Sequence, residues 1–158
     1  MCLYIKDIQK QVATEPVKVY KLLDIRNVPP YYPTDAYHIG INKPETQETY
    51  TVYEGEYWVG AGYLHAYTDK AKAIHTAKEI SWLYQTVTES GTIQYKIVEM
   101  YIPKGTAYYE NPYVQEVAAE ALEWRPESQV ELGEVDYNDE AHPFKIRRQA
   151  TIYKETNQ

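Results

Sequence analysis

Alternating apolar and polar positions predict strands in three parts of the chain. Residues 16–25, PVKVYKLLDI, carry valine, leucine and isoleucine on one side, which is the pattern of a half-buried strand. Residues 93–102, IQYKIVEMYI, become apolar on both faces towards their end, as in a strand inside a sheet. Residues 47–59 suggest two short strands around a Glu-Gly-Glu turn. We therefore expect a sheet with residues 93–102 near its centre.

Apolar positions spaced by three and four residues predict one long amphipathic helix over about 69–89. Thr68 or Asp69 can cap its start, and a glycine follows its end. His75 and Trp82 lie on the opposite face, where a large aromatic side chain is unusual. Either the C-terminal tail covers Trp82, or Trp82 contacts a ligand or the second copy in a homodimer. The apolar seam consists of Ala73, Ala77, Ile80, Tyr84 and Val87.

These elements predict an α+β fold with a mostly antiparallel sheet of about five or six strands. The long helix packs on one face, and one short helix or turn completes the fold. Residues 112–124 leave two interpretations open, because Asn-Pro can begin a helix whereas AAEALEW alternates like a strand. We expect a single domain over 1–158, with an N-terminal arm at 1–15 and an acidic loop and basic tail at 134–158.

Charge is concentrated in one segment and limits the kinds of partner. Between Glu110 and Glu140 there are ten acidic residues and one basic residue, Arg125, while the net charge of the chain is −7. A protein that binds a nucleic acid polymer needs a broad positive surface, so we expect no such partner. The acidic segment either docks on a basic partner protein or simply keeps the chain soluble.

Cysteine usage and hydropathy indicate the compartment. The one cysteine, Cys2, excludes a disulfide within the chain and a cysteine-based metal cluster. No apolar run approaches the ~18 residues of a membrane span, and the N-terminus lacks the layout of a secretory signal. We therefore expect a cytoplasmic protein with no membrane partner.

Glu99 is the strongest single candidate for chemistry, because its carboxylate stands between Ile97 and Tyr101 on an otherwise apolar strand face. It either forms a structural ion pair or serves as a general base or ligand anchor. His65 and His75 could supply half of a metal site, but no third ligand has suitable spacing. We therefore expect no metal and no cofactor. Standard catalytic motifs are also missing, so the sequence assigns no catalytic residue.

Tyrosine is the most unusual part of the composition, with 18 tyrosines against one phenylalanine. These rings either replace phenylalanine in a sheet or form a recognition surface. Rings on loops can stack on bases, and the acidic balance favours a small nucleotide over a polymer. The candidate ligand-binding residues are Tyr31, Tyr32, Tyr37, His65, Tyr67, His75, Trp82, Glu99, Lys104, Tyr108, Tyr109, Tyr113, Arg147 and Arg148.

Four motifs stand out: the Met-Cys-Leu start, VKVYKLL, GYLHAY before the helix, and above all IPKGTAYYE. They resemble motifs of a group of short uncharacterised proteins of phages and gut bacterial mobile elements. The resemblance covers about residues 1–125 and implies a genomic setting in which counter-defence proteins are common. In a phage, the cytoplasm in question is that of the host cell.

The chain also resembles ADP-ribosyltransferases, whose cores run from a strand with Tyr-Arg or His, through a Ser-Thr-Ser strand, to a late catalytic glutamate. The corresponding elements are Tyr20-Lys21, the LHAY strand at 64–67, and Glu116 or Glu120. The first element has neither Arg nor His, the second lacks Ser-Thr-Ser, and the third has no clear Glu-x-Glu. This resemblance implies a related fold, with one of the glutamates, or Glu99, as the acid.

Three functions follow from these observations. The first is a non-enzymatic counter-defence protein that sequesters a small nucleotide-like signal or a host defence protein. The second is an acidic DNA-mimic inhibitor that uses the segment 110–140. The third is an enzyme of the ADP-ribosyltransferase type. The sequence favours the first, because catalytic motifs are missing and aromatic residues are abundant.

Overall fold

A computed structural model describes residues 2–30, 36–44, 54–79, 86–88, 92–136 and 151–153. Within these ranges lie thirteen strands and one helix. The strands are β1 (Leu3–Tyr4), β2 (Gln11–Val12), β3 (Val17–Asp24), β4 (Gly40–Asn42), β5 (Trp58–Val59), β6 (Leu64–Tyr67), β7 (Thr86–Thr88), β8 (Thr92–Ile102), β9 (Ala107–Asn111), β10 (Glu116–Ala119), β11 (Leu122–Trp124), β12 (Val130–Asp136) and β13 (Thr151–Tyr153), and the helix is α1 (Lys70–Glu79).

Nine strands form the main sheet, in the order β2-β9-β10-β6-β3-β8-β11-β4, with β12 also paired to β8. All its pairings are antiparallel, which confirms a mostly antiparallel sheet with a helix. The prediction of five or six strands is wrong. The extra strands, such as β2 and β11, are only two or three residues long, too short to produce a hydrophobic period.

β8 is the central strand, as residues 93–102 predict. It pairs with the whole of β3 on one side and with β12 and β11 on the other. Both of its faces are buried: Ile93 and Ile97 point to one side of the sheet, and Val98 and Met100 point to the other. The strand predicted at 16–25 is also confirmed, as β3.

The two faces of the sheet bury different groups of residues. One face carries the largest core cluster, which includes Val19, Met100 and Leu122. The other face is covered at one end by α1, through Ala73 and Ala77. At its other end it is covered by the small antiparallel sheet of β1 and β5. Tyr20, Tyr67 and Glu99, which are described below, lie on this second face.

The helix is shorter than predicted. α1 ends at Glu79, and Thr86–Thr88 form β7, which pairs in parallel with β13, so a helix over 86–88 is wrong. Thr-Val-Thr is β-branched at every position, which favours a strand. The predicted burial of Ala73 and Ala77 is confirmed, and both are fully inaccessible to solvent. The predicted seam positions Ile80 and Tyr84 lie outside the described residues. Within the described ranges, no helix has the length and apolar character needed to cross a bilayer.

The structure resolves the ambiguity at 112–124 in favour of strands, β10 and β11. The chain turns after β8, with Gly105 in a left-handed conformation at φ 86°. In the N-terminal arm, β1 and β2 add short strands to two different sheets. Residues 134–136 continue β12 instead of beginning a loop.

Gly133 and Tyr95 pack unusually closely in the pairing between β12 and β8. They are direct register partners, and a Cβ atom on Gly133 would lie 2.2 Å from Cζ of the Tyr95 ring. No other residue fits at position 133 unless the tyrosine moves.

Candidate functional site

Five side chains form one row across five adjacent strands of the main sheet. Tyr20 pairs with Tyr67 on one side and with Glu99 on the other. Tyr67 pairs in turn with Glu116, and Glu116 pairs with Asn111. Directly opposed residues of antiparallel strands point to the same face, with their Cα atoms about 4.5–5.5 Å apart. The cross-strand row therefore runs Asn111, Glu116, Tyr67, Tyr20, Glu99.

Turns at the ends of β6 and β10 place two members of the row. The backbone amide of Thr68, just after β6, donates to the carbonyl oxygen of Gln115 at 2.9 Å. Gln115 has a left-handed backbone with φ 56°, which closes the tight turn between β9 and β10. Glu116 therefore begins β10 next to the last residue of β6, and α1 begins three residues after Tyr67.

Burial changes the electrostatics of Glu116. It is half-buried, and burial raises its pKa, while the positive charge of Lys72 on α1 acts in the opposite direction and more weakly. A carboxyl group whose pKa is raised by burial keeps its proton to a higher pH than a solvated one.

A cavity of about 160 Å³ adjoins the Tyr20 and Glu99 end of the row. Its polar lining includes Glu99, Lys70 and Glu131, and Lys70 forms an ion pair with Glu131 at 3.1 Å. The Glu99 side chain is 17% exposed, and Lys18 Nζ lies 4.0 Å from its Oε1, at the limit of an ion pair. Two lysines, Lys18 and Lys70, therefore lie near Glu99 where it lines the cavity.

Lys21 joins two strands of the row from the opposite face of the sheet. Its side chain is buried, and Nζ donates a hydrogen bond of 2.5 Å to the carbonyl oxygen of His65 in β6. The ammonium group also lies 5.2 Å from the centre of the Tyr37 ring. Burial lowers the pKa of Lys21 to about 7, so this lysine can lose its charge near physiological pH.

A second carboxylate, Glu54, sits in a network of donors beside the row. Tyr109 donates to its Oε1, and Tyr63 donates to its Oε2 at 2.5 Å. Lys10 Nζ lies 3.4 Å from the same Oε2. The bonds from Tyr109 and Tyr63 are the largest causes of the lowered pKa of Glu54. This network ties the N-terminal segment to β6 and β9.

The predicted site residues are dispersed. Tyr108 and Tyr109 point to opposite faces of the sheet, and Tyr113 is 93% exposed on the turn before β10, so the structure does not bring these three rings together. Lys104 and His75 are exposed and lie on other surfaces of the fold. Of the predicted residues, the buried ones are Tyr37, His65, Tyr67, Tyr108 and Tyr109, and those outside the described residues are Tyr31, Tyr32, Trp82, Arg147 and Arg148.

Several residues of this region were not among the predicted ligand contacts. Tyr20 and Glu116 entered only through the resemblance to ADP-ribosyltransferases, and Asn111, Glu54 and Lys10 were missed. The cross-strand row depends on the pairing of strands far apart in the chain, which no local pattern encodes. Of the row, Tyr67 and Glu99 were among the predicted ligand contacts, and Glu99 stood out because a charged residue interrupts an apolar strand face.

The acidic segment is partly neutralised within the fold. Three of its carboxylates pair with basic side chains, which reduces the charge available for a basic partner. The ion pairs are Glu120 with Lys10, Glu123 with Arg125, and Glu131 with Lys70.

In the part of the chain that the structure describes, no group of three or more acidic, histidine or cysteine side chains is arranged to hold a metal ion.

No family model matches the chain, and neither a curated protein nor a solved structure matches it significantly.

Proposed function

We propose that the cross-strand row is the site of an ADP-ribosyltransferase-type enzyme, with Glu116 as its catalytic carboxylate and a dinucleotide such as NAD as its substrate. One observation carries the proposal. The three elements that the resemblance singles out lie on adjacent strands, and Tyr20, Tyr67 and Glu116 are direct register partners. Tyr20 and Tyr67 are 47 residues apart in the chain, and Tyr67 and Glu116 are 49 residues apart, yet the three residues meet in one row.

Glu116 fits the role better than the other two glutamates. Glu120 lies in the turn after β10, where its side chain is 51% exposed and 3.5 Å from Lys10. Glu99 is in the row but at its far end, two strands beyond Tyr67. Glu116 directly adjoins Tyr67, and burial raises its pKa.

The chemistry requires a carboxylate at this place. Breaking the bond between C1′ of the ribose and the pyridinium nitrogen releases neutral nicotinamide and leaves positive charge on the ribose. A nearby carboxylate stabilises that charge. The acceptor then adds to C1′ through an oxygen or nitrogen, and its proton passes to the carboxylate or to water. With water as acceptor, the products are nicotinamide and ADP-ribose.

The test is release of nicotinamide from NAD, measured by chromatography, with Glu116→Gln and Glu120→Gln as a matched pair. We expect Glu116→Gln to lower the rate about 100-fold or more, because the glutamine can neither carry the charge nor accept the proton. Glu120→Gln should retain most of the activity. No release by the unmodified protein, or an equal loss in both variants, would contradict the proposal.

A second candidate is a protein that binds the same dinucleotide without turning it over. One observation favours it: the LHAY strand places histidine and alanine where the resemblance leads us to expect hydroxyl side chains. This is the sequestration function expected from the sequence, relocated to the cross-strand row. It predicts that native mass spectrometry detects bound NAD or ADP-ribose, and that Glu116→Gln leaves the affinity unchanged.

A further inference from the structure

His65 has a buried ring nitrogen without a partner. The residue is 7% exposed, and its Nδ1 makes no hydrogen bond anywhere in the described part of the chain. Among the described residues, it is the one buried side-chain nitrogen or oxygen that lacks a hydrogen-bond partner. A buried polar atom that makes no hydrogen bond costs free energy, and such atoms in folded proteins often have a functional reason.

The hydrogen bond of the other ring nitrogen fixes what Nδ1 can do. Nε2 lies 3.1 Å from the carbonyl oxygen of Gly60, so Nε2 carries the hydrogen and donates it. The same carbonyl accepts the amide of Tyr63, in a turn where Gly62 has φ 96°. Burial lowers the pKa of His65 to about 3, so the ring stays neutral. Nδ1 is therefore a hydrogen-bond acceptor at physiological pH.

His65 lies on the same face as the cross-strand row. It precedes Tyr67 by two residues in β6, and side chains two apart in a strand point to the same side. Its register partner in β10 is Ala118, two residues after Glu116. Because Ala118 ends at a methyl group, its side chain offers no hydrogen-bond donor to the ring.

We propose that Nδ1 of His65 accepts a hydrogen bond from an NH₂ group of a dinucleotide bound along the row. Two groups in NAD have this chemistry, the carboxamide of nicotinamide and the amino group of adenine. The identity of the ligand rests on the proposed function. The assignment of His65 as a ligand acceptor rests on its burial, its hydrogen bond to Gly60 and its place beside Tyr67.

Two substitutions separate the ligand contact from the structural contact. The side-chain oxygen of His65→Asn falls near the position of Nδ1, so this variant keeps the acceptor and loses the bond to Gly60. The amide of His65→Gln reaches the position of Nε2, so that variant keeps the bond to Gly60 and loses the acceptor. A purely structural role predicts that His65→Gln behaves like the unmodified protein and that His65→Asn is impaired.

The experiment is a calorimetric titration with three dinucleotides, with Glu116→Gln present in every protein so that turnover does not consume the ligand. The ligands are NAD, nicotinic acid adenine dinucleotide, which lacks the carboxamide NH₂, and nicotinamide hypoxanthine dinucleotide, which lacks the adenine NH₂. We expect His65→Gln to weaken NAD binding about tenfold and His65→Asn to weaken it much less. One of the two analogues should bind about tenfold more weakly than NAD, and His65→Gln should not weaken that analogue further.

Each other result overturns the inference. Equal affinity of all three dinucleotides, or a loss of affinity in His65→Asn but not in His65→Gln, assigns His65 to the fold alone. No binding of any dinucleotide rejects both the ligand and the contact. The proposed catalytic role of Glu116 fails separately, since binding that depends on His65 can occur without release of nicotinamide.

Discussion

Glu54 and Glu116 lie near the same face of the sheet, yet their surroundings differ in almost every respect. Glu54 accepts hydrogen bonds from two tyrosine hydroxyls and has Lys10 beside it, so its negative charge is stabilised and its pKa is lowered. Glu116 is half-buried with weaker compensation, so its pKa is raised. The first arrangement holds segments of the chain together, and the second leaves a carboxyl group that keeps its proton to a higher pH than a solvated one.

The tyrosines near these two glutamates also have different roles. Tyr63 and Tyr109 are buried, meet edge to face with ring centres 6.0 Å apart, and direct their hydroxyls to one carboxylate. Tyr20 is half-buried and lines the cavity at the end of the row. Tyrosine in place of phenylalanine therefore supplies hydrogen-bond donors to the fold as well as apolar area.

The same substitution at both glutamates tests this difference directly. Glu54→Gln should lower the free energy of unfolding by about 1–2 kcal/mol at neutral pH, because the glutamine keeps one acceptor oxygen and loses the charge. Solvent exposure of the Glu54 side chain, 38%, holds the effect to this size. Urea denaturation measures it. A Glu54→Gln protein as stable as the unmodified one would refute the structural role.

The two hydroxyls that bind Glu54 can be removed one at a time. Tyr63→Phe and Tyr109→Phe should each lower the free energy of unfolding by about 1 kcal/mol, because each deletes one hydrogen bond to a charged acceptor and leaves the ring in place. Thermal unfolding at neutral pH is the measurement, with Tyr113→Phe as a control, since Tyr113 is 93% exposed. If the control loses as much stability as the other two, the network is not the cause.

Glu116→Gln should have the smallest effect on the free energy of unfolding, and the sign of that effect is opposite to that of Glu54→Gln. A raised carboxyl pKa favours the folded state below the ordinary glutamate pKa of about 4.3, and that contribution is lost as the pH rises through the raised value. For Glu54 the contribution is present above the ordinary pKa and is lost as the pH falls through the lowered value.

At pH 7, Glu116→Gln should therefore be as stable as the unmodified protein or more stable by less than about 1 kcal/mol, since solvent screens a half-exposed group. Unfolding curves recorded between about pH 3 and pH 8 check the sign of the stability change in both variants, Glu54→Gln and Glu116→Gln. At the acidic end, the free energies of unfolding of the two variants should approach that of the unmodified protein. Destabilisation by Glu116→Gln at pH 7 would assign Glu116 to the fold instead of to chemistry.

The sequence predicts the parts of the fold that depend on local patterns. β3 and β8 follow from their alternation, and the burial of Ala73 and Ala77 follows from helical spacing. The predicted helix is too long, because Val87 continues the helical spacing by chance. In the structure, Val87 and the β-branched residues around it pair with β13. Strands of two to four residues carry too few positions for any period to be read.

The site was less predictable than the fold, for a physical reason. Glu99 could be found because a carboxylate among apolar neighbours is locally unusual. The tyrosines after β8 are consecutive in sequence, but strand alternation sends Tyr108 and Tyr109 to opposite faces. The row itself depends on register between β10, β6 and β3, which is set by the whole sheet. Only the resemblance to a family connected Tyr20 with Glu116 in advance.

Gly133 has a consequence for how reliably the cavity is formed. Sliding β12 by two residues along β8 would bring Glu131 or Val135 opposite Tyr95, where a Cβ atom would meet the phenol ring unless the ring moved. The glycine therefore favours the alignment in which it faces Tyr95. Since Gln129, Val130 and Glu131 belong to the cavity wall, the residue that favours this alignment also favours the observed position of that wall.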